Sequence, residues 1–283
     1  MQFKQITIIG VGLIGGSIGL AVKKNRLAAR IVGVTAHKAT LDKARKRKAI
    51  DFGTLDLKKS VLNSDMVILA TPVDKIIGTL KQIAPKLKKD CIVIDVASVK
   101  GNIVNNGERI IGSKAHFVGT HPMAGSEQRG VDKADSNLFK DAPCIITKTK
   151  KTDKKALKAV RHFWKVLGSK IYELSPMEHD KRVSNISHLP HAAAAALALT
   201  ADSSSLKFAS TGFGDTTRIA SGDPALWSAI LTDNSSSARG DIKRYLKQLE
   251  AISKLIEAKD KDKLKIVLLK AKRKRDKFIS HGK

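Results

Sequence analysis

Apolar residues in the first two-thirds of the chain come in short unbroken runs, separated by stretches in which they recur every three or four positions. The runs predict strands at 5–10, 30–35, 65–71, 91–97, 116–121, 142–148 and 169–174. Amphipathic segments at 40–49 and 154–167 predict helices between them. Strands spaced by helix-length connections predict βαβ units and a mostly parallel sheet. The runs are apolar throughout instead of alternating, as strands covered on both faces require. After Leu174 the pattern changes to helical spacing only. An Ala-rich helix is expected beyond Ser187, and another from Asp223-Pro224, where an N-cap precedes a proline at the first helical position. From Arg239 a long helix follows, with Leu246, Leu249, Ile252, Leu255 and Ile256 on one face. DSSS (202–205) and NSSS (234–237) are expected as short polar loops. The change of texture at Ser175-Pro176 divides the chain into an α/β part, 1–174, and an all-helical part, 175–283.

Composition narrows the class. The 283 residues are 42% hydrophobic with 7 prolines and 20 glycines, which suits a globular fold. No apolar run approaches the ~18 residues of a membrane span, and the opening MQFKQITIIGVG carries no signal-peptide pattern. A cytoplasmic protein is therefore expected, with Cys91 and Cys144 as buried reduced thiols and no metal site. Lys and Arg number 53 against 26 Asp and Glu, a formal net charge of +27. Such a field attracts anions. The lysines are spread along the chain, with a peak in KAKRKRDK (270–277), and aromatics that could stack on bases make up only 4%. A basic nucleic-acid-binding protein on a dinucleotide-binding scaffold is the rival reading from outside enzymology.

The chemistry-bearing motifs sit at predicted strand ends. GVGLIGGS (10–17) holds G-x-G-x-x-G as Gly10, Gly12 and Gly15, with Leu13 and Ile14 inside the cofactor loop. It follows a strand and opens a helix, the context in which the glycines turn the chain, admit a pyrophosphate and allow close helix–strand packing. The next strand ends at Thr35, with His37 and Lys38 beyond, where an NAD site would place an acid. A hydroxyl and two basic groups favour NADP over NAD. Thr71 and Pro72 lie in a loop expected near the nicotinamide. Ser98 and Lys100 in DVASVKG, and His121 in THPMAGSE, arrive at the same sheet edge. A neutral imidazole there can take a proton from a substrate hydroxyl as hydride leaves.

Taken in order, GVGLIGGS, DVASVKG, HPMAGSE, EHD…SHLPH (178–191) and GFGDTTRIASGDPALW (212–227) resemble the prephenate/arogenate dehydrogenase family of tyrosine biosynthesis, over nearly the whole chain. The resemblance implies a Rossmann domain followed by an all-α domain that dimerises. It also implies oxidative decarboxylation of prephenate to 4-hydroxyphenylpyruvate, with NADP-dependent arogenate dehydrogenase or a dual-substrate cyclohexadienyl dehydrogenase as alternatives. It gives His121 as the catalytic histidine and Ser98 as the serine on the same hydroxyl. Arg218 becomes the carboxylate clamp, His191 a neighbour of the substrate side chain, and Glu127 a group at the active-site mouth. Trp227 is expected as pocket wall or core, and His188, three residues before His191, as a structural or interdomain contact. The helix of His191 offers histidines and Asn185 where an arogenate ammonium would want a carboxylate, which leans to prephenate. The TAHK loop leans the other way, resembling NADP-linked arogenate enzymes. Gly214 stands where some relatives carry a basic residue, and neither a fused chorismate mutase nor a C-terminal regulatory domain is expected. β-Hydroxyacid dehydrogenases share the fingerprint and a helical second domain, but lack the Ser98/His121 pair.

Overall fold

A computed structural model describes residues 2–125, 128 and 130–281. Among the described residues eight strands form one sheet: β1 (Phe3–Ile9), β2 (Ala28–Val34), β3 (Phe52–Thr54), β4 (Met66–Leu69), β5 (Ile92–Asp95), β6 (His116–Pro122), β7 (Pro143–Thr147) and β8 (Lys170–Leu174). Their spatial order is β3-β2-β1-β4-β5-β6-β7-β8. Pairing is parallel except between β6 and β7, where His121 lies opposite Ile145. The doubly wound α/β architecture expected from the apolar runs is thus present.

The unbroken runs are explained by burial on both faces. In β4, Met66, Val67, Ile68 and Leu69 are all fully buried. Met66 and Ile68 enter one core with Ile6, Ile8 and Ile94; Val67 and Leu69 enter the other with Ile9 and Val93. Each such side chain contributes about 1.5–3 kcal/mol, so a polar residue on either face of β4 would be costly. Cys91 and Cys144 are buried free thiols. Burial pushes Cys91 up to about 12 and Cys144 higher still.

The sequence pattern missed β3. It has three residues, pairs only with β2, and leaves Phe52 half exposed under the Arg30 guanidinium, so no apolar run announces it. The serine clusters also differ from expectation, because both begin helices. Asp202 caps α9 (Ser203–Leu206) by accepting from the Ser205 N–H at 2.9 Å. The residues after Asn234 open α12 (Ser235–Glu257). Ser and Asp compete for backbone bonds, and that competition favours helix starts as readily as loops.

The helices that carry or support the site are α1 (Leu13–Lys24), α2 (Lys38–Lys46), α4 (Val73–Ile83), α5 (Gly101–Ile111), α7 (Pro176–Val183), α8 (Leu189–Thr200) and α11 (Pro224–Asp233), with α3 (Leu57–Ser60), α6 (Lys154–Val166) and α10 (Thr211–Thr217) between them. Between α7 and α8 the helix widens into a π turn, Ser184–His188. Pro190 lacks the N–H that would bond back to residue 186, and the wide turn absorbs that loss. Compact packing groups everything to Ser235 in one unit; a second unit holds the rest of α12 and α13 (Lys261–His281). In that second unit Leu246, Leu249 and Ile256 on α12, and Ile266, Leu268 and Phe278 on α13, remain substantially exposed. Among the described residues no helix is long and apolar enough to cross a membrane.

Candidate active site

Topology places the cofactor cleft first. β1 pairs with β2 on one side and β4 on the other, so the strand order reverses at β1 and a crevice opens at its carboxyl end. Gly10 turns there with φ +95°, and a side chain on it would collide with the Ala70 carbonyl at the end of β4. A Cβ on Gly15 would overlap the Gly10 carbonyl oxygen, whereas one on Gly12 would meet nothing within 4 Å. Gly12 therefore faces open space at the start of α1, a twelve-residue helix that no side chain caps. An uncapped helix end beside an open glycine is a fitting cradle for a diphosphate. Leu13 and Ile14 are half-buried in that first turn. Beside it, the buried Thr71 hydroxyl oxygen has no partner among the described residues, a polar group suited to a nicotinamide amide. Pro72 caps α4 with an extended backbone. Thr35 follows β2 and is half-buried, while His37, the N-cap of α2, and Lys38 are exposed. These residues fit a dinucleotide.

A cluster of titratable groups lies three strands away on the same edge. His121 is buried near the end of β6, and its Nδ1 lies 2.8 Å from His179 Nε2. His179 Nδ1 in turn lies 2.8 Å from Asp180 Oδ1. Asp180 is held by α5: its Oδ1 accepts from the Lys100 N–H at 2.8 Å and its Oδ2 from the Gly101 N–H at 2.7 Å. The carboxylate thus caps a helix N-terminus, where negative charge is favoured. Burial alone would raise the Asp180 carboxyl; the His179 bond and the two amides outweigh it and hold it below its usual range. Burial also depresses His179, against the pull of Asp180. His121 is driven well below its ordinary value, by burial first and then by His179, Lys100 and His188.

These bonds fix the tautomers in sequence. An ionised Asp180 can only accept, so His179 carries its proton on Nδ1 and presents Nε2 as an acceptor. His121 must then donate from Nδ1, which leaves the lone pair on its Nε2. A neutral histidine with that lone pair is a base.

Four further residues gather behind the relay. Asn234 donates to the Asp180 carbonyl at 2.8 Å and lies 3.2 Å from His188 Nδ1. His188 is fully buried, its Nε2 without a described partner, and burial depresses it to about 4. Trp227 stacks on His191 at 3.7 Å between ring centroids and meets His188 edge-on at 6.3 Å. His188 and His191 therefore share one face, as their spacing predicts. Gly222 makes room for this stack, since a Cβ there would come within 3.1 Å of His191 Cε1. Arg218 begins the 3₁₀ turn Arg218–Ser221, which packs against α8; it is exposed and makes no hydrogen bond or ion pair to a described residue. Ser98 is half-buried in the loop between β5 and α5. Glu127 lies outside the described residues.

Sequence comparison names the lineage. Residues 18–173 match the family model described as prephenate dehydrogenase, nucleotide-binding domain, and residues 175–270 match prephenate dehydrogenase, dimerization domain. The chain belongs to the prephenate dehydrogenase family. The prephenate dehydrogenase of Bacillus subtilis is 36% identical over 266 residues, 92% of this chain and 72% of that one. The crystal structure of prephenate dehydrogenase from Aquifex aeolicus in complex with hydroxyphenyl propionate and NAD+ superposes with a TM-score of 0.92, at 34% identity and 98% coverage of each chain. Synechocystis arogenate dehydrogenase gives 0.85 at 33% identity, over 97% of this chain and 99% of that one. As in other members of the prephenate dehydrogenase family, a nucleotide-binding Rossmann part precedes a helical dimerisation part.

Sequence reading singled out His121 but gave no role to His179, Asp180 or Asn234. His179 and Asp180 stand 58 and 59 positions from His121, and nothing local marks them as its partners. The available signals were the EHD of the EHD…SHLPH motif and its chemistry, an adjacent His and Asp just inside a Ser-Pro helix start.

Proposed function

We propose that this chain is a prephenate dehydrogenase that converts prephenate to 4-hydroxyphenylpyruvate and carbon dioxide. The observation that carries the reading is the Asp180–His179–His121 relay, which leaves a neutral imidazole with a free Nε2 at the sheet edge that bears the dinucleotide cradle. When bound, the nicotinamide cofactor accepts the hydride from the ring carbon that bears the hydroxyl. His121 Nε2 takes the hydroxyl proton as that hydride leaves, and the positive charge is shared toward His179 and Asp180. The ring carboxylate departs as carbon dioxide, its bonding electrons complete the aromatic ring, and His121 returns the proton to the phenolate oxygen. Ser98 holds the hydroxyl, and Arg218, which makes no hydrogen bond or ion pair to a described residue, takes a substrate carboxylate bidentately. The His191–Trp227 stack lines the substrate side chain with His188 behind it, and the family resemblance gives Glu127 a role at the active-site mouth. Gly10, Gly12, Leu13, Ile14, Gly15, Thr71 and Pro72 bind the cofactor, and Thr35, His37 and Lys38 favour NADP over NAD.

A division at 174/175, a homodimer through the helical part and a cytoplasmic setting belong to the same reading. The exposed apolar stripes of α12 and α13 support the dimer, and the two buried free thiols suit a reducing compartment. Arogenate is the second reading, favoured by the likeness to the Synechocystis enzyme. Absorbance at 340 nm, with prephenate and arogenate each crossed with NAD and NADP, tests all of this. Prephenate with NADP is expected to turn over fastest. Turnover of arogenate alone would overturn the side-chain reading, and no turnover in any combination the activity itself.

A further inference from the structure

Lys100 and Asp95 form an ion pair with no exposure to solvent on either side chain. An ammonium in such a place needs all three of its hydrogens engaged. One goes to Asp95 Oδ2, one to the Ala97 carbonyl at 2.8 Å and one to the Val99 carbonyl at 3.0 Å. Those two carbonyls flank Ser98. The same residue's backbone N–H donates to Asp180, the carboxylate that orients His179 and hence His121. Its stem runs past β6 at Gly119, two residues before His121, where a Cβ would come within 3.2 Å of Lys100 Cδ. Lys100 is therefore bonded to the Ser98 loop through its side chain and to the histidine relay through its main chain.

We propose that Lys100 is a positioning residue that fixes Ser98 relative to His121, so that one substrate hydroxyl meets both. The proposal rests on the roles given above to Ser98 and His121. Lysine suits the task because three donors radiate from one atom to a carboxylate and two carbonyls. The planar fork of arginine cannot converge on them, and an apolar chain would leave the carbonyls unbonded.

The test is a double-mutant cycle on the full-length enzyme. Replacing Lys100 alone strands a buried carboxylate and endangers the fold, so the perturbation is Lys100→Met combined with Asp95→Asn, which removes both charges. Ser98→Ala is then made in the parent and in that double variant. kcat and KM are measured with whichever of prephenate and arogenate the parent turns over, and cofactor binding is followed by NAD(P)H fluorescence. In the parent, Ser98→Ala is expected to lower kcat about tenfold; in the double variant its further effect is less than about twofold, because the serine is no longer held in place. Cofactor affinity is unchanged, which a general loss of fold would not allow. Asp95→Asn alone keeps the two carbonyl bonds and retains most of the Ser98 effect. If the double variant does not fold, Lys100→Gln combined with Asp95→Asn, which removes both charges but leaves too few donors for both carbonyls and the residue at 95, must show the same loss of coupling. An equal cost of Ser98→Ala in every background overturns the proposal and leaves the site reading intact. Full activity of both Ser98→Ala and His121→Asn in the parent overturns the site reading, and this proposal with it.

Discussion

Asp180→Asn is the sharpest perturbation of the proposed base, because it changes one atom and leaves the shape. The carboxylate accepts three hydrogens: from the Lys100 N–H, the Gly101 N–H and His179 Nδ1. An amide cannot accept all three. With its oxygen toward His179 it sets its NH₂ against the Gly101 N–H. Flipped, it opposes the Lys100 N–H and donates to His179 Nδ1, which moves the proton of each histidine along and puts a hydrogen on His121 Nε2. Each orientation carries one donor–donor clash, so neither dominates by more than about 1.4 kcal/mol, and the misprotonated population costs at most about tenfold in rate. The lost charge costs more. Two hydrogen bonds of 2.8 Å and an imidazole separate Asp180 from His121. At roughly 8 Å and an effective dielectric of about 20, a unit charge stabilises the forming imidazolium by about 2 kcal/mol, or about thirtyfold. The expected loss in kcat is therefore about thirty- to three-hundredfold, with cofactor affinity intact. The pH profile of kcat/KM supplies a second readout. Burial depresses His121, so the acid limb of the parent lies below about 6.5, and removing the carboxylate moves it further to the acid side. Activity within about threefold of the parent, or a limb displaced toward higher pH, would refute the relay.

Other expectations separate chemistry from folding. His121→Asn should lower kcat by about two to four orders of magnitude with cofactor binding unchanged in a fluorescence titration. Arg218→Ala should act mainly through the substrate KM, because no described residue depends on Arg218 for a bond. Gly12→Ala has room in the protein and should leave the melting temperature near the parent's while weakening dinucleotide binding at least about tenfold; Gly15→Ala, which collides with the Gly10 carbonyl, should lower the melting temperature as well. Thermal stability should fall on acidification. His121, His179, His188 and His191 are all depressed by burial, so the unfolded chain takes up protons that the folded one refuses. Their contribution is complete above about pH 6.5 and is lost as pH falls through the folded values, with His188 alone accounting for about 3 kcal/mol by pH 4. A melting temperature constant from pH 7 to pH 5 would contradict this.

What could be read from the sequence was what is local. A glycine triplet after an apolar run names a strand, a turn and a helix start within about fifteen residues, and all three are present at β1, Gly10 and α1. Four adjacent buried residues in β4 announce a strand covered on both faces. Phe52–Thr54 fails the same test because its pairing comes from β2 and not from its own pattern. The serine clusters failed for a different reason: a capping side chain looks the same in a loop and at a helix start until the next turn is seen to bond. Lys100 was read as a strand-end residue beside Ser98, with no role of its own. Only the fold distinguishes an ammonium in solvent from one enclosed by two carbonyls and a carboxylate.

The relay escaped for a reason that bears on how the site works. His121 belongs to β6, within the segment matching the nucleotide-binding family model, while His179 and Asp180 belong to α7, within the segment matching the dimerization model. Asp180 simultaneously ends the relay and caps α5, whose N-cap residue Lys100 bonds the carbonyls on either side of Ser98. Without α7, His121 Nδ1 would lose the acceptor that fixes its tautomer, and the Lys100 and Gly101 amides would lose their carboxylate. The dinucleotide cradle at Gly10–Gly15 depends on none of these bonds. Cofactor binding can therefore be encoded in one stretch of chain and read there, whereas the base comes into being only where two stretches meet.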